Sequence, residues 1–376
     1  MNSFFLALAT VLSYFSCSQK NKVDSKTVDD YRLEIVDSMR INHLAGAWIQ
    51  DYDSISKHFV AVSRIDQELV IIDQKGLVSS FFVIPHEGPN SLAGIFSLSF
   101  KNAELQVFDS RNGFHFLSTE GAIKYKFTLP YSYIFVKQSI GETFYLFGKE
   151  MVYIRPERSD SLGGGPMGGL IKYMYDLPIL EAYDTVAQKA RHLMKFPKTS
   201  LYADGDYYFI PFPTVQKYGH RWYLHFAREL KYFVFKEDGL DLILDKTVDL
   251  GVNDAILPVG VPFEALAEYS MSDQQAAKIN QLYNFKGRTI VIYQKGVPQE
   301  RVILSQTDPS IALIDKTFAA VFDTENELIK NDIPVPESLI FTRAITEKGE
   351  ILAMKDQDYF GVEEDFVVYY KLKLLN

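Results

Sequence analysis

The sequence predicts an all-β fold, a six-bladed β-propeller of four-stranded antiparallel blades, on three observations. Apolar residues come in runs of four to seven bounded by Gly, Asp, Asn and Pro, which is the pattern of strands and tight turns. The aromatic load is heavy, 28 Phe and 23 Tyr in 376 residues, and pleated, half-buried surfaces accommodate such side chains best. A unit of strand, Asp, turn, second strand and Pro recurs at Asp73–Pro85, Asp184–Pro197 and Asp323–Pro336, with a degenerate copy from Ser118 through Gly121 to Pro130. The turn glycines Gly76, Gly121, Gly239, Gly296 and Gly349 stand 45, 118, 57 and 53 residues apart, and the longest gap holds two units. A spacing of about 45–60 residues fits one four-stranded blade, so residues 31–376 hold six. A seventh blade, a large β-sandwich or a β-helix would share these alternating strands and turn glycines.

At the N-terminus, Phe4–Phe15 is an uncharged run of 12 residues, the length of a signal-peptide core and too short to cross about 30 Å of hydrocarbon. It ends at Tyr14-Phe15-Ser16-Cys17, where a small residue precedes the single cysteine. That placement resembles a bacterial lipoprotein signal, which implies cleavage before Cys17 and lipidation on it. Tyr14 departs from the usual Leu, and the leader has no Lys or Arg. Residues 18–30 are polar without an apolar period and read as a flexible tether to the propeller domain at 31–376.

Along the body, hairpins are read directly. Phe144–Phe147 turns at Gly148-Lys149-Glu150 into Met151–Ile154, and Leu69–Asp73 turns at Gly76 into Val78–Ile84. Tyr232–Phe235 runs into a turn at Gly239, and Ile290–Tyr293 into one at Gln294-Lys295-Gly296. Glu181–Met194 reads as a hairpin because its Asp184 and Pro197 match the repeat. Gln274–Tyr283 reads as a helix capped by Ser272-Asp273, with Ala276, Ile279 and Leu282 on one face. The end segments Tyr31–Val36 and Phe366–Leu375 are both strand-like, so the ring is expected to close by pairing them.

The leader, the tether, the repeat length and the segment Ile84-Pro85-His86-Glu87-Gly88-Pro89-Asn90 together make the chain resemble the six-bladed, TolB-like propeller lipoproteins of Bacteroidetes, among which families of unknown function are common. Glu87-Gly88-Pro89-Asn90 is the most particular match and falls where those proteins carry a loop crossing between blades. The resemblance implies a fold and an outer-membrane location, periplasmic or surface-facing. It carries no catalytic residue.

Composition excludes several classes. Lys and Arg number 39 against 48 Asp and Glu, a net charge of −9, and no basic stripe offsets it, so nucleic acid is not an expected partner. One Cys can form neither an internal disulfide nor a thiolate metal site. Gly163–Gly169 lacks the Lys-Ser/Thr that would end a phosphate loop and reads as an insertion between strands. The histidines (His43, His58, His86, His115, His192, His220, His225) show no metal spacing, and His220 and His225 fall on opposite faces of one strand. The acidic groups Asp51/Asp53, Asp204/Asp206 and Glu363/Glu364/Asp365 could offer calcium ligands but read as solvated turns. No metal or cofactor is expected, and no nucleophile–base spacing nominates catalytic residues.

The function that follows is a membrane-anchored binding or scaffolding module of the envelope, monomeric, held at the membrane by its lipid alone, with an envelope protein or glycan as partner. The alternative is a hydrolase or lyase acting on a carbohydrate or lactone at the axial funnel. Aromatic residues around Pro130 (Tyr131, Tyr133, Phe135) and Pro211 (Tyr207, Tyr208, Phe209, Phe212) exceed what one strand face buries, so some are candidate anchors on a loop-bearing face.

Overall fold

The computed structural model describes residues 30–65, 67–136, 141–158, 173–269, 275–308, 313, 315–361 and 364–376. The leader with Cys17, most of the tether and the Gly163–Gly169 segment lie outside these residues. Six four-stranded antiparallel sheets form the ring. Blade 1 comprises Trp48–Asp53, His58–Val62, Glu68–Asp73 and Val78–Val83, from the axis outward. Blade 2 comprises Ile95–Lys101, Glu104–Asp109, Gly113–Leu117 and Ile123–Phe127. Blade 3 uses Tyr145–Phe147, Glu150–Ile154, Leu180–Asp184 and Lys189–Leu193. Blade 4 uses Pro213–Tyr218, Arg221–Phe226, Lys231–Asp238 and Asp241–Asp249. Blade 5 is Ala276–Phe285, Arg288–Gly296, Thr317–Phe322 and Leu328–Pro334. Blade 6 takes Leu339–Ile345, Ile351–Lys355 and Val367–Leu375 from the C-terminal end and its outer strand, Arg32–Ile41, from the N-terminal end.

The expected closure is therefore present. Arg32 pairs with Leu375 and Ile41 with Val367, with one irregularity between Ile35 and Asp37. Lys371 Nζ donates to Asp37 Oδ2 (2.8 Å) across that seam and to Gln74 O (3.1 Å) in blade 1.

Packing between blades explains the continuous apolar runs and the aromatic count. In blade 4, Trp222, Leu224 and Phe226 pack toward blade 3 while Tyr223 packs toward blade 5. On the next strand Phe233 and Phe235 face blade 3, and Tyr232 and Val234 face blade 5. Each blade is buried on both faces, so alternation selects which neighbour a side chain meets rather than core against solvent.

The repeat is a turn. Its four copies are the hairpins between third and outer strands of blades 1, 2, 3 and 5. Asp73 Oδ1 accepts from the backbone N–H groups of Lys75 and Leu77, Asp184 Oδ1 from Val186 and Ala187, and Asp323 Oδ1 from Glu325 and Glu327. Ser118 Oγ does the same for Glu120 and Ala122 in the degenerate copy. A short polar side chain that satisfies the turn's own amides is what the unit requires. Gly76 fits the same turn at φ +90°, where a Cβ would stand 2.4 Å from the carbonyl oxygen of Arg40 in blade 6.

Two sequence expectations are corrected. Ala276–Phe285 is the inner strand of blade 5, not part of a helix over 274–283. A bulge between Ile279 and Gln281 shifts the alternation by one residue, and the resulting spacing of Ile279 and Leu282 imitates a helical face. Gln294-Lys295-Gly296 is not a hairpin turn. The second strand of blade 5 runs through it, and the chain then forms the helix Gln299–Thr307 before the third strand. Gly349 likewise marks the turn between first and second strands of blade 6, so the turn glycines do not all occupy one position in the blade. Among the described residues no helix is long and apolar enough to cross a membrane.

Candidate functional site

The inner strands approach one another around the axis, and their ends near the first turn of each blade enclose a cavity of about 220 Å³. Its walls include Asp51 and Tyr52 of blade 1, Glu142 and Tyr145 of blade 3, Lys217 of blade 4, Asn284 of blade 5 and Arg343 of blade 6. Blade 2 does not line the cavity but is bonded to it through Leu98 O, which accepts from Arg343.

Arg343 is the centre of this arrangement, with its side chain only 7% exposed. Its Nε donates to Gln50 O at 2.7 Å and its Nη2 to Leu98 O at 2.5 Å, tying blade 6 to blades 1 and 2. The same Nη2 lies 2.9 Å from Asp51 Oδ2. Nη1 is buried and has no hydrogen-bond partner among the described residues. Asn284 repeats the pattern: its Oδ1 accepts from Thr289 Oγ1 at 2.9 Å, while its Nδ2 is buried and without a partner there.

The acids on the axis are engaged. Asp51 Oδ2 also accepts from Phe100 N at 2.8 Å. Burial raises its carboxyl pKa above the ordinary value, with Arg343 pulling the other way and Glu142 adding to the rise. Glu142 pairs with Lys101. Lys217 Nζ lies 2.7 Å from Glu237 Oε1 and donates to Leu146 O at 3.0 Å. Tyr145 donates its hydroxyl to Val215 O at 2.9 Å, and burial pushes that phenol well above its ordinary pKa. At the rim, the Tyr52 hydroxyl donates to Glu347 and accepts from Gln74 Nε2 at 2.6 Å. Burial alone would raise the Glu347 carboxyl, but its bonds from Tyr52, Lys57 and Gln74 hold it at about 2.

Asp51 and Asp53 are not solvated turn residues. Both are drawn in by backbone amides of blade 2, and Asp53 is buried, accepting from Asn102 N at 3.1 Å and Ala103 N at 2.9 Å. Asp204 accepts from Asp206 N and from the Tyr208 hydroxyl, Glu364 pairs with Lys355, and Glu363 lies outside the described residues. Among the described residues no three His, Cys, Asp or Glu side chains could share a metal ion.

The histidines are dispersed. His43 meets Glu68 at 2.8 Å, His58 meets Ser56 O, His86 meets Gln67 and His115 lies 3.4 Å from Asp109. His192 is exposed on the outer strand of blade 3. His220 is exposed against Glu237, whereas His225 is buried, so the two do not meet. Of the candidate aromatic anchors, Tyr133, Tyr207 and Tyr208 are buried, and Tyr131, Phe209 and Phe212 are half-buried. The Tyr131 hydroxyl is bound to Glu181 and the Tyr133 hydroxyl donates to Asp109 O at 2.5 Å. They serve the core.

Exposed apolar residues occur at both ends of the ring: the tight turns expose Ile55, Leu77, Val186 and Leu240. At the opposite end, the crossing loops and the loops between second and third strands expose Leu44 (90%), Leu257 (67%), Val259 (64%) and Leu304.

Comparison with known structures gives the same ring. A member of the duf4221 family from Bacteroides vulgatus superposes with a TM-score of 0.64 at 12% identity, over 93% of this chain and 99% of that one. A candidate exported protein from Bacteroides fragilis gives 0.56 at 10% identity, over 92% and 96%. The chain shares their fold. No protein-family model matches the sequence, and no curated protein matches it.

Sequence reasoning missed Arg343, Asn284, Lys217 and Glu142, and weighed Asp51 as a calcium ligand or a solvated turn residue. A signal was available, since Asp51, Lys217, Asn284 and Arg343 each stand two or three residues before the first turn of a blade. Aligning blades on that turn would have brought them to one height on the axis.

Proposed function

We propose that this protein is a binding module of the bacterial cell envelope, tethered through a lipidated Cys17 and residues 18–30, with its long-loop end turned away from the membrane. What supports this reading is the difference between the two ends of the ring. The turns between first and second strands and between third and outer strands are tight, and they share one end with the start of the outer strand at Arg32 and its partner Leu375. The other end carries the longer connections, such as the crossing between Asp249 and Ala276 on which Leu257 is exposed. A tether leaving the short-turn end presents the long loops to partners, and a rigid ring with variable loops suits docking.

A photo-crosslinking residue placed at Leu257 and, separately, at Gly239 tests this in cells carrying the full chain. An adduct from the Leu257 position alone is the expected result. Equal labelling at both positions, or none at either, overturns it.

A second reading is favoured by one observation, the raised pKa of Asp51 on the axis, which is the property of a general acid. Turnover of a lactone or glycoside that is lost in Asp51→Asn would replace the binding function with a hydrolase or lyase.

A further inference from the structure

We propose that the groove between the outer strands of blades 3 and 4 docks an extended, acidic segment of a partner protein, which adds as a fifth strand beside Lys189–Leu193. This is a second surface, on the flank of the ring, and it goes beyond the loop-end reading without depending on it.

Residues 189–198 (KARHLMKFPK) hold Lys189, Arg191, Lys195 and Lys198 and no acid, in a chain whose net charge is −9. The overall balance hides this short stretch, and the expectation of no basic stripe is corrected here. Arg191 is held by Glu150, 2.9 Å from its Nε, and its Nη1 lies 3.7 Å from Asp241. Lys189, Lys195 and Lys198 are exposed and have no ion pair among the described residues. Three free cations on one edge of an acidic protein attract carboxylates that the rest of its surface repels.

The same stretch borders a groove of about 500 Å³. Phe196 is half-buried in its wall, and Ile243 (43%) and Leu244 (36%) stay exposed across from it on blade 4. Lys195 and Lys198 stand in the same wall, and Asp241 is the one acid among the described lining residues. A purely solvated face has no use for this apolar surface.

Backbone geometry selects the form of the occupant. Lys189–Leu193 is the edge strand of blade 3, paired with Leu180–Asp184 on one side alone. Alternate residues of such a strand turn their N–H and C=O groups outward. An extended segment paired there sends every second side chain toward the groove, where apolar ones meet Phe196, Ile243 and Leu244. Its carboxylates meet Lys189, Lys195 and Lys198. A lysine-bearing edge also repels a second copy of itself, so it rejects self-pairing while accepting an acidic strand.

Fluorescence anisotropy on the full chain with labelled octapeptides tests the proposal. The probes are a peptide alternating Glu and Val, its Gln-Val and Lys-Val counterparts, and the Glu-Val peptide N-methylated at every residue, which keeps the carboxylates and loses the main-chain donors. The Glu-Val peptide should bind saturably, more weakly as salt rises, and the other three at least about tenfold more weakly. Lys195→Glu combined with Lys198→Glu should weaken the Glu-Val peptide about tenfold or more with the unfolding midpoint unchanged, because both side chains are exposed. Ile243→Asp should also weaken it, and Lys75→Glu, on a turn of blade 1, should not. No saturable binding of the Glu-Val peptide, equal binding of its N-methylated form, or unchanged affinity in the double variant overturns the proposal. Vesicles containing phosphatidylglycerol are the competing arm: if they bind, the peptide does not and the double variant releases them, the stripe belongs to a lipid surface and the proposal falls. The Leu257 crosslink reports a different part of the ring, so either reading can fail while the other stands.

Discussion

Asp53→Asn tests whether single carboxylates hold neighbouring blades in register. Asp53 stands at the first turn of blade 1, and its two oxygens serve two turns at once. Within its own turn they accept from Ile55 N at 3.3 Å and Ser56 N at 3.0 Å. Across the blade boundary they accept from Asn102 N at 3.1 Å and Ala103 N at 2.9 Å. Each oxygen takes one bond from each blade, so an asparagine can keep only one pair. Its amide nitrogen must then face two N–H donors, so two backbone amides lose their carboxylate acceptor. At about 1.5 kcal/mol or more for each bond to a charged acceptor, the loss is about 3 kcal/mol, a large part of a typical domain's stability. Guanidinium unfolding should show a lower midpoint with an unchanged slope.

The pH dependence carries a second signature. Burial pushes the Asp53 carboxyl up, but the bonds from Ser56, Ala103 and Ile55 outweigh it and leave the pKa below its ordinary 3.8. A depressed folded-state pKa gives stability that is present above 3.8 and lost as pH falls below it. The gap between wild type and Asp53→Asn should therefore narrow in strong acid. A midpoint equal to wild type at neutral pH, or a gap that widens in acid, would refute the pinning role.

Three further outcomes are expected. His225 is buried and burial alone lowers its pKa from 6.5 to about 4, so the wild type should lose roughly 3 kcal/mol as pH falls through that window. His225→Gln should flatten that limb in pH-dependent unfolding, and an unchanged limb would assign it to other groups. Deleting 366–375 removes the third strand of blade 6 and strands Arg32–Ile41 without a partner, so the product should be insoluble; an unchanged melting temperature would count against closure as a stabilising element. Cys17→Ser should move the protein from the membrane fraction to the soluble fraction, with intact mass reporting the absence of lipid, and retention at the membrane would sink the lipid anchor.

What could be read in the sequence was local. The Asp of the third-to-outer turn satisfies amides two to four residues away, so its recurrence at Asp73, Asp184 and Asp323 is visible without any tertiary contact. Blade period, hairpins and the pairing of the two end segments followed from it. Reading failed where a local pattern had two meanings. The bulge at Ile279/Gln281 gave a strand the spacing of a helix, and only its pairing with Arg288–Gly296 decided between them.

The sequence by itself thus determined an all-β ring of six repeats, because strand alternation and turn chemistry act within a few residues. Tertiary structure alone decided the axis. Arg343 reaches Gln50 and Leu98 across separations of 293 and 245 residues, and Asp53 reaches Ala103 across 50. Whether a carboxylate is a solvated turn or a pin between blades depends on which strand closure brings beside it. That is set by the ring, not by its sequence neighbours.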